Sequence, residues 1–423
     1  MSLLTLVWNY LKARPLNTAI NILLLSLGIA VITILLLFSQ QLEKKITENA
    51  KGIDLVVGAK GSPLQIILCN IFHIDFPTGN IKLFEAERIA KNRLVKKAIP
   101  LALGDSYSTY RIIGTNRAYA DLYHGELATG EWWDKDLQVT LGANVAALTK
   151  LKPGDHFASA HGLTDGGHAH EEHQYVVAGI LKPSNSVLDN VILTNVESVW
   201  KVHEEHDEEA EGEHEEHAEE APAHDSTFIP SPLIPSVAKG DSTKEITAML
   251  LQYRSPMGAI QLPRIVNAQS SLQAASPAFE TARLFSILGV GVDILMGFAY
   301  VLIVISGLSI FIALYNSLKE RRYDLAIMRS MGATRAKVFI SILLEGGFLT
   351  LAGSVLGLVA GHGAVMLLAG MAEQAQRTGI SGLVFYPQEW IILVGSLLLG
   401  LVCALIPAVQ AYRTDISKVL AGH

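Results

Sequence analysis

Residues 320–337 read ERRYDLAIMRSMGATRAK, a basic, amphipathic helix-and-turn set between two long apolar segments. On a helix, Leu325, Met328, Arg329 and Gly332 follow one another at spacings of three and four. An apolar stripe therefore emerges beside a rim of Arg321, Arg322 and Arg335. In a soluble protein such a stripe is core packing. Between two membrane spans it is a place to grip a cytosolic partner, so the flanks decide the reading.

Those flanks are unambiguous in length. Four segments, 19–38, 294–316, 346–371 and 391–411, are apolar enough to cross a bilayer, which takes about 20 helical residues. The first follows Lys12 and Arg14, is too long for a signal peptide and reads as a retained anchor. The loop between the second and third spans holds Lys319, Arg321, Arg322, Arg329, Arg335 and Lys337, whereas the next loop has Arg377. Basic loops stay in the cytosol. Four spans then put both termini in the cytosol and the large segment between the first and second spans outside. The formal net charge of -7 is local in origin, because residues 203–225 hold twelve acidic side chains and no Lys or Arg. Two cysteines, Cys69 and Cys403, fall in separate parts of this topology, so no disulfide framework is encoded.

The chain divides accordingly. Residues 1–50 are an amphipathic N-terminus, first transmembrane helix and stalk, and 51–283 an extracytoplasmic α+β domain. Residues 284–423 are a second stalk end and three transmembrane helices, with the cytosolic segment at about 319–337. Within the external domain, 53–57, 139–141, 174–180, 191–194 and 247–253 read as strands, and 83–96 and 143–151 as helices. Residues 258–284, interrupted by Pro263 and Pro277, read as helical material leading back to the membrane. The run at about 201–225 has almost nothing to bury and is expected to be disordered.

Chemistry of its own is hard to find in this chain. There is no GxxxxGK[ST]; GAKGS at 58–62 lacks the phosphate-cradling spacing and reads as a turn after a strand. Nor does a GxSxG elbow or an HExxH helix occur. Enzymatic activity is not expected, and ATP hydrolysis would have to come from another chain.

Three blocks carry a resemblance: LVWNYLKARPLNTAINILLLSLGIA at the start, YNSLKERRYDLAIMRSMGATRAKVF followed by ISILLEG in the middle, and LIPAVQAYRTDISKVL near the end. In them the chain resembles permeases of the MacB/FtsX-type ABC transporter superfamily, the mechanotransmission class. The resemblance implies a permease that pairs with a second copy and with two ABC ATPase subunits, which would hold ATP and Mg²⁺. It also implies an ATPase-coupling role for Arg321, Arg322, Asp324, Leu325, Met328, Arg329, Met331, Gly332 and Ala333, with Gly332 permitting the turn into the third span. A periplasmic partner protein and membrane lipids complete the expected contacts, nucleic acid is not among them, and the location implied is a bacterial cytoplasmic membrane.

Ionisable residues inside spans are functional candidates. Asp293 lies at the outer end of the second span, Glu345 near the inner end of the third, and His362 deeper within it. Their different depths favour helix–helix bonding for Glu345 over a common proton relay. His161, His168, His170 and His173 in HGLTDGGHAHEEH, and His203, His206, His214, His217 and His224 in the acidic run, are candidate Zn²⁺ ligands. A mobile loop and a solvated acidic linker are the alternative readings of the two stretches. The expected function is a permease coupling ATP hydrolysis in a separate subunit to movement of the external domain, with zinc handling as a secondary reading. Export or lipoprotein extraction, and regulation of an extracytoplasmic enzyme, are the alternatives.

Overall fold

The computed structural model describes residues 3–160, 169–202, 244–269, 271–371 and 380–413. The chain begins with α1 (Leu3–Ala13) and α2 (Pro15–Ala50), followed by β1 (Leu55–Ala59), α3 (Pro63–Asn70), β2 (Ile81–Lys82), α4 (Leu83–Ala90), β3 (Val95–Tyr107) and β4 (Tyr110–Gly114). Next come α5 (Arg117–Leu122), β5 (Leu127–Gly130), β6 (Gln138–Leu141), α6 (Ala143–Thr149), β7 (His156–Ala160), β8 (Ala169–Leu181) and β9 (Val191–Thr194). A helix at 196–202 (α7) precedes β10 (Glu245–Ile246), β11 (Ala248–Tyr253), α8 (Pro256–Asn267) and β12 (Leu272–Ala275). The chain then runs through α9 (Pro277–Glu320), α10 (Arg322–Ser330), α11 (Arg335–Met371) and α12 (Gln388–Arg413). Two compact units result, one of Met1–Leu42 with Ile287–His423 and one of Glu43–Ser286.

In the first unit α2, α9, α11 and α12 are each long and apolar enough to span a bilayer, which makes this a multi-pass membrane protein. Lengths of 36 and 44 residues give α2 and α9 about 54 and 66 Å, well beyond a ~30 Å hydrocarbon core. Small residues set how closely the helices approach. Gly353, Gly357 and Gly361, one turn apart on α11, meet Leu25, Ile29 and Thr33 of α2. A Cβ on Gly357 would stand 2.7 Å from that of Ile29 and 2.8 Å from the Ser26 carbonyl oxygen. Hydrocarbon gives helices no hydrophobic reason to associate, so this backbone-close packing supplies van der Waals contact instead.

The second unit is α+β. Its main sheet has ten strands in the order β12-β1-β11-β3-β4-β9-β6-β8-β5, with β7 bridging β3 and β8; β4 with β9 and β6 with β8 are parallel. Alternation sorts each central strand between two cores. Leu55 and Val57 of β1 and Met249 and Leu251 of β11 face one cluster with Ala86 and Leu262, while Val56, Ala248 and Leu250 face another with Ile66 and Tyr119. Both faces are covered, so these strands read as unbroken apolar runs.

Two expectations need correction. The helix expected over 83–96 stops at Ala90, because Asn92 accepts the Leu94 N–H through Oδ1 and turns the chain into β3, whose Val95, Ala98, Ile99 and Leu101 are buried against β11. The helical return expected over 258–284 contains a strand. Pro263 sits inside α8, β12 pairs antiparallel with β1, and Pro277 opens α9, where a missing N–H costs nothing.

Candidate functional site

α10 lies on the membrane unit as a short amphipathic helix. Leu325 and Ala326 are buried, Leu325 among Leu318 of α9, Val338 and Ile342 of α11, and Ala408 and Ala411 of α12. Arg322, Tyr323, Asp324, Ile327, Met331, Gly332 and Arg335 are exposed, with Met328, Arg329 and Ala333 in between. Its end is a Schellman turn: Ala333 N–H bonds the Met328 carbonyl and Gly332 N–H that of Arg329, at 3.0 and 3.1 Å. Gly332 carries φ +99, the left-handed conformation this turn demands, and nothing lies within 4 Å of where its Cβ would be. The requirement for glycine is therefore one of backbone conformation, and the space around it is open. Thr334 then starts α11 by accepting the Lys337 N–H at 3.3 Å.

Arg321 departs from its expected place on the exposed rim. It occupies the single-residue joint between α9 and α10, with φ -96 and ψ 10, and that break in the helix turns its side chain inward. The guanidinium lies over the Tyr10 ring at 3.8 Å, donates from Nη2 to the Tyr10 carbonyl at 3.4 Å, and stands 3.6 Å from Glu345 Oε2. Arg321 and Glu345 side chains are only 12% and 10% exposed. A cavity of about 20 Å³, the size of one water, opens between them and is lined also by Ser317 and Ser341. Here α1 enters the site: Tyr10 Oη donates to Met328 Sδ at 3.8 Å, Arg14 pairs with Glu320, and Trp8 meets Phe348 of α11 edge-on. One largely enclosed cation thus ties α1, the α9–α10 joint and α11 together. Neither Tyr10 nor its pairing was visible in the motif, since 311 residues separate it from Arg321.

The other membrane candidates lie apart. Asp293 is exposed on α9. His362 is far along α11, where its Nε2 is 2.9 Å from Oε2 of Glu389, a residue the sequence reading did not select. Glu345 and His362 thus have different partners and form no common relay.

Metal chemistry finds no built centre among the described residues, where no three His, Cys, Asp or Glu side chains gather. His170 and His173 fall on β8. His161, His168, His203, His206, His214, His217 and His224 lie outside the described residues, as does most of the acidic run.

The external unit has a polar cluster of its own. Arg111, buried on β4, donates to Cys69 Sγ at 3.5 Å and to the Asp75 carbonyl at 3.0 Å, and His73 Nε2 lies 2.8 Å from the Tyr119 hydroxyl. Burial pushes the Cys69 thiol up to about 11 despite the neighbouring guanidinium. That makes it an inert thiol rather than a nucleophile.

Comparison with known proteins adds the family. Residues 296–416 match the FtsX-like permease C-terminal family and residues 18–220 the MacB-like periplasmic core domain. An uncharacterized ABC transporter permease of Methanocaldococcus jannaschii, MJ1507, is 25% identical over 138 residues, covering 33% of this chain and 35% of that protein. The uncharacterized ABC transporter permease YknZ of Bacillus subtilis is 27% identical over 117 residues, 27% of either chain. The matched region thus spans about a third or less of these relatives. Among solved structures, the periplasmic region of MacB from Actinobacillus actinomycetemcomitans aligns at 13% identity and a TM-score of 0.34, covering 57% of this chain and 97% of that one. The extracellular domain of YknZ, described as a noncanonic ABC-type transporter from Gram-positive bacteria, aligns at 12% and 0.30, covering 53% and 99%. With an FtsX-like membrane segment and a MacB-like domain inserted after its first span, the chain belongs to the ABC transporter permease family.

Proposed function

We propose that this chain is the permease subunit of an ABC transporter in a bacterial cytoplasmic membrane, and that it receives ATP-driven motion through α10. The supporting observation is the split character of that helix. Its exposed side offers Arg322, Asp324 and Met331, while its inner side is fixed to three spans by Leu325 and, through the adjoining Arg321, to Glu345. A push on the outer face is passed to α9 and α11 together, because the joint between α9 and α10 is a single residue, Arg321, whose side chain is largely enclosed. Separate ATPase subunits supply the push, a second permease copy completes the assembly, and the extracytoplasmic domain does the work on cargo or on a periplasmic partner.

Affinity purification of the tagged full chain from its native membrane tests this. An ABC ATPase should accompany the wild-type chain and be lost with Asp324→Lys; a wild-type preparation free of any ATPase would overturn the reading. Zinc as the cargo or regulator rests on the histidine-rich stretches at 161–173 and 203–224 alone. Calorimetric titration of Zn²⁺ into the full chain decides that part: stoichiometric binding lost on changing His161, His168, His170 and His173 to alanine supports it, and absence of binding removes it.

A further inference from the structure

We propose that His362 and Glu389 form a proton-binding site that holds the outer end of the membrane bundle closed while the proton is bound. Both side chains are nearly enclosed, 11% and 6% exposed. His362 uses both ring nitrogens: Nδ1 is 2.6 Å from the Gly382 carbonyl oxygen and Nε2 is 2.9 Å from Glu389 Oε2. The second carboxylate oxygen, Oε1, accepts the Tyr386 N–H at 2.9 Å.

The proton inventory follows from what each atom can do. A carbonyl oxygen only accepts, so Nδ1 must carry a hydrogen. In a neutral ring Nε2 is then a lone pair, and a lone pair cannot face a carboxylate at this distance without repulsion. A second proton must lie between Nε2 and Oε2. Whether it is drawn on the imidazole or on the acid, the pair holds one proton more than a neutral histidine beside a carboxylate. Its release to water leaves two acceptors in contact in a poorly solvated site, and the contact opens.

What that contact restrains is the segment 380–387 that leads into α12. Its Gly382 backbone lies against α11, where a Cβ would come within 2.4 Å of the His362 carbonyl oxygen. Phe385 packs tilted against the imidazole, at 4.4 Å between ring centres. From α2, Gln41 grips Ser381 twice, donating to its carbonyl at 2.9 Å and accepting its N–H at 2.8 Å. Three spans therefore converge on one short segment, and one of the ties is protonic. Among the described residues the ionisable side chain bonded to His362 is Glu389 of α12. The 380–387 segment contributes Tyr386, which bonds through its backbone, and α2 contributes the uncharged Gln41. Glu373 and Arg377 lie outside the described residues.

The test is amide hydrogen exchange of 380–387 in the full chain in lipid nanodiscs, corrected for the intrinsic pH dependence of exchange. Raising the pH from about 5 to about 9 should lower wild-type protection by about tenfold or more. Glu389→Gln offers an amide N–H to Nε2 and a carbonyl to Tyr386, so it mimics the loaded pair and should stay protected across the range. Glu389→Ala should be unprotected throughout. Wild-type protection that does not change with pH overturns the proposal, as does a Glu389→Gln profile that falls like wild type or an alanine variant that keeps wild-type protection. If the alanine variant does not fold, the wild-type and glutamine profiles decide.

Discussion

Near its start α11 buries Glu345 against Arg321, and about 25 Å further along the helix it buries His362 against Glu389. The first pair has a cation that stays charged at every pH a cell meets, an aromatic ring beneath it and a 3.6 Å separation. The second has a titratable ring in 2.9 Å contact with its acid. The difference suits their places. The joint proposed to carry motion from α10 into the spans keeps its charges under all cellular conditions, whereas the proposed tie at the opposite end of the helix is released by loss of a proton without loosening the joint.

The largest effect should come from breaking the fixed pair. Glu345→Ala leaves Arg321 enclosed without its carboxylate and should cost about 3–5 kcal/mol, read as the thermal stability of the full chain in nanodiscs. Arg321→Met with Glu345→Leu should restore most of that stability, since an apolar pair of similar volume needs no desolvation. Restored stability without restored ATPase coupling would show that the charges are kept for transmission. A Glu345→Ala chain as stable as wild type would erase the contrast between the two ends.

Much of this was legible in advance, and the failures have physical causes. Spans and the buried position of Leu325 follow from apolar length and a 3.6-residue period, whereas Gly332, counted on the same stripe, is exposed in the turn that ends α10. The place of Arg321 was not legible, because one non-helical residue at the α9–α10 joint rotates its side chain from rim to interior. Its partners are supplied by α1 and α11, and local spacing cannot show them. Glu389 escaped for a related reason: in sequence it is an ordinary polar residue opening a span, and only the fold brings it to His362. β3 was hidden by Lys96 and Lys97, which look like a helix surface, although Val95, Ala98 and Ile99 are buried on either side of them.

A histidine in the other unit sharpens the comparison at an expected cost of similar size. His73 meets a tyrosine hydroxyl instead of an acid, and burial, with the Arg111 charge adding to it, pushes its pKa down to about 3. The unfolded chain takes up a proton near pH 6.5 that the folded chain refuses until about 3, so stability falls as pH drops through that window and is unaffected above it. The loss is on the order of a few kcal/mol at its acid limit. His73→Gln should flatten the slope of stability against pH between these values; an unchanged slope would remove His73 as its source.

Gly332 tests the fixed joint more gently. A side chain at φ +99 should cost about 1–2 kcal/mol. Because the surrounding space is open, Gly332→Ala and Gly332→Trp should be destabilised about equally in the same melting assay. A much larger loss for Trp would mean that α10 packs against something at this point and that the penalty is steric.

The smallest change in stability should come from the residue next to the joint. Arg322 is exposed in the first turn of α10, where a cation opposes the helix dipole. Arg322→Glu should therefore leave stability unchanged or raise it by about 0.3 kcal/mol, while the ATPase no longer accompanies the purified chain. Arg321→Gln should do the reverse in the first respect and lower the melting temperature, since it strands Glu345. Two consecutive arginines thus separate the face proposed to be pushed from the joint proposed to transmit the push. If Arg322→Glu keeps its ATPase, the push enters elsewhere on α10 and the inner pair serves stability alone.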